Sequence, residues 1–153
     1  MTDPISFASS SPRHGLPFLF PGQAQKEFTV NHAHALIDML LHPCIEGEIS
    51  VPPDSPEEGE CWLVGAGASG DWAGREGAIA GYQTGGWLFA APREGMRVFD
   101  RASGRSLLRT DGAWQAAPLP ALPVGGATVD AEARSAIAGL ISSLQQAGIL
   151  PAG

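Results

Sequence analysis

Between Ile49 and Gln115 the chain is interrupted every few residues by Gly, Asp and Ser, and the pieces between are too short to be helices. Seven runs rich in β-branched and aromatic residues remain: 49–51, 60–64, 78–83, 87–91, 96–100, 106–109 and 113–116. Such runs read as strands. The breaks carry hairpin chemistry, as in Thr84-Gly85-Gly86, Ala102-Ser103-Gly104 and Asp111-Gly112. Strands this close together leave no room for the crossover helix that joins parallel neighbours, so the spacing predicts an antiparallel meander.

The period changes on either side of this block. Phe28, His32, Ala35, Leu36, Met39 and Leu40 recur at helical spacing, opposite a polar face of Glu27, Asn31, His34, Asp38 and His42. Pro21-Gly22 precedes this helix and Pro43 ends it, because the residue before a proline avoids the α region. A second helix follows over about 129–147, with Thr128 or Asp130 as its cap, Asp130 and Glu132 in its first turn and Gly148 as its stop. Its apolar residues Ala133, Ile137, Leu140, Leu144 and Ala147 stand four, three, four and three apart, which is a short heptad seam, and Ile141 broadens it. An isolated helix of this length is marginal in water. Lying beyond a proline-rich linker, it is expected to bury its stripe on copies of itself, with packing back onto its own chain as the alternative.

The organisation read from the chain is therefore an extended arm over 1–22, a helix over 23–42, a β domain over 45–117, a Pro/Gly linker over 118–128 and an oligomerisation helix over 129–150. The fold class is α+β: an N-terminal helix, a small antiparallel Trp-rich meander or sandwich, and a C-terminal helix. The arm carries Leu16-Pro17-Phe18-Leu19-Phe20, which is too apolar to be left in water and is expected to pack on its own domain or on a neighbouring subunit.

A chain of 153 residues is about one domain. Its net charge of −7 argues against nucleic acid and against an anionic membrane surface, both of which need clustered Lys and Arg. No window approaches the ~18 apolar residues of a membrane span, and the N-terminus has no apolar core of a secretory signal. The two cysteines, Cys44 and Cys61, read as free thiols of a protein made in a reducing cytoplasm, with Cys61 a small core residue.

Few constellations carry chemistry. Residues 65–70 spell GxGxxG after a strand, but Asp71-Trp72-Ala73-Gly74 does not open the helix that a dinucleotide site requires. His34, Asp38 and His42 fall at i, i+4 and i+8, which places the two histidines about 12 Å apart by helix rise and too far apart to share one metal ion. His32 falls on the apolar face and reads as a packing residue. Glu57, Glu58 and Glu60 read as a solvated loop. No catalytic residue, cofactor site or metal site emerges, and a non-enzymatic role is expected. The aromatics are the better lead. Some must fill the core, but Trp72 in a Gly-rich loop, with Tyr82 and Trp87, is the candidate set for stacking on sugar rings.

Gly15-Leu16-Pro17-Phe18-Leu19-Phe20-Pro21-Gly22-Gln23-Ala24-Gln25-Lys26-Glu27, followed by Asn31, resembles the opening signature of a phage-associated domain of unknown function. That family occurs in tailed phages, prophages and gene transfer agents of alphaproteobacteria. The likeness continues through Gly70-Asp71-Trp72-Ala73-Gly74, Gly86-Trp87-Leu88-Phe89 and Pro92-Arg93-Glu94-Gly95 and spans roughly 15–114. The stretch from Val129 to Leu150 is similar to tails of phage fibre proteins, and the Trp-Gly pattern is loosely similar to small chitin-binding modules. The resemblance implies a particle component of the head-spike, fibre or tail type, located in the virion or a phage-like particle. It implies no catalytic residues. With the seam Ala133, Ile137, Leu140, Ile141 and Leu144, the expectation is a homo-oligomer, most simply a trimer with a higher ring as the alternative, in contact with other particle proteins. The alternative function is a carbohydrate-binding module that attaches the particle to a cell-surface polysaccharide.

Overall fold

A computed structural model of the chain describes residues 26–83, 85–126 and 130–150, apart from the side chains of Glu27, Phe28 and Asn31. The N-terminal arm, the beginning of the first helix at 23–25, the turn residue Thr84, the alternative cap Thr128 and most of the resemblance signature lie outside the described residues. The elements are α1 (Lys26–Leu41), β1 (Cys44–Ile45), β2 (Glu48–Ile49), β3 (Cys61–Val64), β4 (Ile79–Gln83), β5 (Gly86–Ala90), β6 (Arg97–Asp100), β7 (Arg105–Thr110), β8 (Ala113–Ala116) and α2 (Ala131–Gln146), with a single 3₁₀ turn at Gly70–Trp72. The fold is α+β, as expected.

The strands form two sheets, the sandwich form of the expected β domain. One has the order β1-β6-β7-β8 and the other β2-β3-β4-β5. Each contains an antiparallel run of three strands, β6–β7–β8 and β3–β4–β5, as the turn chemistry requires. The correction is at the first strand of each sheet. β1 pairs with β6 and β2 with β3 in parallel. A parallel pair needs only that the chain return to its starting end, and here loop 50–60 does so between β2 and β3 without a helix. Two-residue strands such as β1 have no periodicity from which to read them.

The hairpin between β7 and β8 closes on Asp111-Gly112, with φ of 53° and 73° and Thr110 paired to Ala113. Two successive positive φ values define the tight turn whose twist matches the strands, and Gly tolerates that region without strain. The backbone N–H of Gly112 also donates to Glu94 Oε1 at 3.0 Å.

The main core lies between the two sheets and is closed at one end by α1. Leu36 and Met39 of α1 join Ile45, Cys61, Leu63, Ile79, Ala90, Val98 and Leu107. Trp114 of β8 stitches the sheets together, its Nε1–H donating to the carbonyl of Gly77 at 2.8 Å. Helix and sheet meet at Gly81, where a Cβ would lie 2.8 Å from Met39 Sδ and 3.3 Å from Cys61 Sγ. That approach needs glycine. It also explains why His32 does not pack as expected: α1 touches the body through Leu36, Met39 and Leu40, and His32, one turn earlier, is exposed.

All four residues of β3 are buried. Cys61 and Leu63 face the main core. Trp62 and Val64 face the opposite side of the sheet, where they join Trp72 and Ala80 in a second core. A strand covered on both faces loses the polar alternation of a half-exposed one.

Candidate functional site

Two regions hold the residues singled out from the sequence: the outer aromatic face of the β2–β5 sheet, and the arm built by the linker and α2.

The aromatic face begins with strand alternation, which puts Trp62, Tyr82, Trp87 and Phe89 on the side away from the main core. Loop 65–77 then folds over them. Residues 65–70 do not open an α-helix. They lead into the 3₁₀ turn, where the N–H of Trp72 donates to the carbonyl of Ser69 at 3.2 Å. This turn drives the indole of Trp72 into the sheet, where it is 0% exposed. Trp72 stands edge-on to Trp87, with centroids 4.9 Å apart and planes at 83°, and 6.4 Å from Trp62. Tyr82 meets Trp87 at 5.1 Å, and the Arg75 guanidinium lies 5.0 Å over the Phe89 ring.

The expectation that Trp72 offers a stacking surface is therefore corrected. Its ring is the plug of the second core and has no face free for a sugar. The Gly-rich surroundings that made it look exposed are what let the loop fold back sharply. Tyr82 and Trp87 are half-buried and keep part of their rings at the surface. The indole Nε1–H of Trp72 is buried without a hydrogen-bond acceptor.

The arm leaves the body at the end of β8. Residues 117–126 run outward with Leu119, Leu122 and Val124 exposed, and α2 returns. Asp130 caps the helix, its Oδ1 accepting from the N–H of Ala133 at 2.8 Å, as read from the sequence. Arg134 ties the helix to the linker by donating to the carbonyls of Pro123 and Gly125. At the other end the N–H of Gly148 donates to Gln145 O and that of Ile149 to Leu144 O, both at 2.9 Å. With Gly148 at φ +67° this is the Schellman stop that a glycine at this place predicts.

No side chain of α2 is buried. Of the seam residues, Ile137 is 40%, Leu140 65% and Leu144 38% exposed, Ala133 is exposed and Ile141 is half-buried. What holds the arm to the body is the short tail beyond the helix. The N–H of Ser106 in β7 donates to the carbonyl of Gly148 at 2.7 Å, just past the point where β8 stops pairing, and Leu150 is 5% exposed. Ile149 lines a groove of about 360 Å³ with Leu108, Ala116 and Pro118. Sequence reasoning missed this tail clasp. A lone Leu150 after a stop glycine gives no periodic signal, although its hydrophobicity beyond the helix end was readable.

The remaining candidates are dispersed. His34, Asp38 and His42 are all exposed. Asp38 Oδ2 accepts from Gln83 Nε2 at 3.5 Å, and Asp38 and His42 line a cavity of about 120 Å³ with Cys44 and Cys61. Among the described residues no group of three or more His, Cys, Asp or Glu could hold a metal ion. Both cysteines are free, and Cys61 is buried as expected, with its thiol pushed up to about 11 by burial, then by Cys44, Asp38 and Glu46. The acidic loop serves its own backbone: Glu60 Oε2 accepts from the N–H of Glu57 at 2.8 Å, and Glu58 Oε1 from the N–H of Gly85 at 3.1 Å. Among the described residues no helix is long and apolar enough to cross a membrane.

Comparison with known proteins adds a family. A family model described as a protein of unknown function, DUF2793, matches residues 30–115, more than half of the chain, and the chain belongs to that family. No curated protein and no solved structure matches it.

Proposed function

Membership of a family with no assigned activity leaves the argument to the geometry, from which we propose a structural, non-catalytic role. The chain is a self-associating component of a phage or gene transfer agent particle, such as a head spike, fibre base or tail adaptor. The observation that carries the self-association is α2. Its heptad seam is exposed while the rest of the arm is capped, stopped and tied. A seam spaced four and three packs into an identical seam by knobs into holes. The particle assignment rests on the signature that resembles phage and gene-transfer-agent proteins.

The test is the mass in solution, by light scattering behind size exclusion at several concentrations. A stable oligomer of the 15.9 kDa chain is expected, and Leu140→Lys is expected to lower its order. Leu140 is 65% exposed, more than Ile137 or Leu144, so the change leaves the body folded. A parent chain that stays at 15.9 kDa at every concentration overturns the reading.

The carbohydrate-binding alternative keeps Tyr82 and Trp87, which are half-exposed, and loses Trp72. Its support is correspondingly narrower.

A further inference from the structure

The β2–β5 sheet ends at β5, on an edge left bare by the described residues. On β4, the N–H of Tyr82 donates to Glu60 O, and Tyr82 O accepts from the N–H of Gly59, both at 2.9 Å. Ala78 O accepts from the N–H of Val64 at 2.9 Å. Residues 78, 80 and 82 therefore direct their backbone groups toward β3. Ile79, Gly81 and Gln83 direct theirs toward β5, where they meet Ala90, Leu88 and Gly86. Trp87 and Phe89 alternate with these, so their N–H and C=O groups point away from β4. Among the described residues nothing bonds them.

The other sheet ends are closed or blunted. β1 is joined to β3 by the N–H of Glu46, which donates to Cys61 O at 2.7 Å. β2 is two residues long and carries Glu48. On β8 the outward groups are those of Trp114 and Ala116, and residue 118, next in that alternation, is a proline with no N–H. Short length, charge and proline are what keep an edge from pairing with another chain. β5 has five residues, and no charged residue lies between Glu76 and Arg93. Pro92 follows on the inward alternation and leaves the outer edge untouched.

The bare groups are also self-complementary. A two-fold axis at Leu88 sets Trp87 of one copy opposite Phe89 of the other. Each such pair exchanges both of its hydrogen bonds, so every free group of the strand is satisfied. An axis at Trp87 would need Gly85, whose N–H already donates to Glu58 Oε1 at 3.1 Å. An axis at Phe89 would need Ala91, outside the strand. Opposite residues share a face, with Cβ atoms about 4.5–5.5 Å apart. Trp87 and Phe89 both lie on the aromatic face and are both half-buried, so the open part of each ring is covered by the other.

We propose that β5 pairs antiparallel with β5 of a second copy about a two-fold axis at Leu88, which joins two β2–β5 sheets into one. This surface is distinct from the α2 seam and goes beyond the association proposed for it.

Amide hydrogen exchange followed by NMR tests it, in the full chain carrying Leu140→Lys so that the seam is blocked. Above the dissociation constant the monomer fraction falls as the square root of concentration, so exchange at Trp87 and Phe89 is expected to slow about threefold per tenfold rise. Light scattering is expected to show the mass rising from one chain toward two, while the Trp114 amide keeps its rate. Gly86→Lys charges the edge at a place where an added Cβ meets nothing nearer than Gln83 O at 4.0 Å, and it is expected to remove both effects. Fast exchange of the two amides at every concentration overturns the proposal. So does slow exchange that ignores concentration in a chain of monomer mass, which puts another segment of the same chain on the edge. Survival of both effects in Gly86→Lys overturns it too. An oligomeric parent that becomes a monomer with both amides fast on Leu140→Lys removes this interface and leaves the seam. Slowed amides in a parent whose mass Leu140→Lys does not change remove the seam and leave this interface.

Discussion

Replacing Trp72 by Ala removes the largest fully buried side chain of the described structure. A buried Trp takes roughly 150–250 Å² out of water, which at about 25 cal/mol per Å² is about 4–6 kcal/mol. The edge-on contact to Trp87 and the tilted contact to Trp62 are lost as well. Against this, the Nε1–H of Trp72 has no acceptor, and its removal relieves a desolvation cost of about 1–3 kcal/mol. The net loss expected is about 3–5 kcal/mol, in the range of large aromatic truncations. Trp72→Phe separates the two terms. It keeps a ring in the same place and drops the unsatisfied donor, so it is expected to lie within about 1 kcal/mol of the parent. The assay is equilibrium unfolding in guanidinium chloride, followed by far-ultraviolet circular dichroism because the substitution removes a fluorophore. All chains are held at one concentration, since association adds to apparent stability. A Trp72→Ala midpoint within about 1 kcal/mol of the parent would refute the buried-plug reading, and the ring would return to the list of surfaces open to a ligand.

Two other expectations follow from the contacts. Gly81→Ala puts a methyl group 2.8 Å from Met39 Sδ and is expected to cost about 1–3 kcal/mol; adding Met39→Ala should recover part of it, and a purely additive double mutant would show that α1 does not pack there. Cys44 is expected to react with a disulfide reagent at pH 8 well before Cys61, whose thiol is held near 11 against 9.0 in the unfolded chain. Below pH 9.0 both states of Cys61 keep the proton and its contribution to stability is complete; from 9.0 to about 11 only the unfolded chain ionises, so stability falls as pH rises. Equal labelling rates for the two thiols, or a Cys61→Ala chain with the same alkaline loss as the parent, would contradict this.

Some of the molecule could be read directly from residue types. Asp130 and Gly148 mark the ends of α2 because a side-chain acceptor and a left-handed residue are local requirements, independent of what packs nearby. Asp111-Gly112 fixes its hairpin for the same reason. Features set by tertiary contact were not legible. The parallel pairings of β1 and β2 involve two residues each and leave no pattern. His32 follows the helical period of Leu36 and Met39, yet the body does not extend far enough along α1 to cover it. Glycines around Trp72 suggest openness in the sequence, but the same glycines allow the loop to fold back onto the sheet and bury the ring. The seam of α2 was visible as a pattern, but its attachment through Leu150 depends on where β8 ends.

The arm has a mechanical consequence. It is held at both ends on the same side of one sheet, by the peptide chain at Ala116 and by the lateral bond between Ser106 and Gly148. A load hung on the helix is therefore shared between a covalent anchor and a much weaker one. Under tension the weaker end releases first, and the whole load then passes to the covalent anchor through a linker whose full extension is about 31 Å. Release of the tail is thus the first response to force, and it costs the sheets none of their own strand pairing.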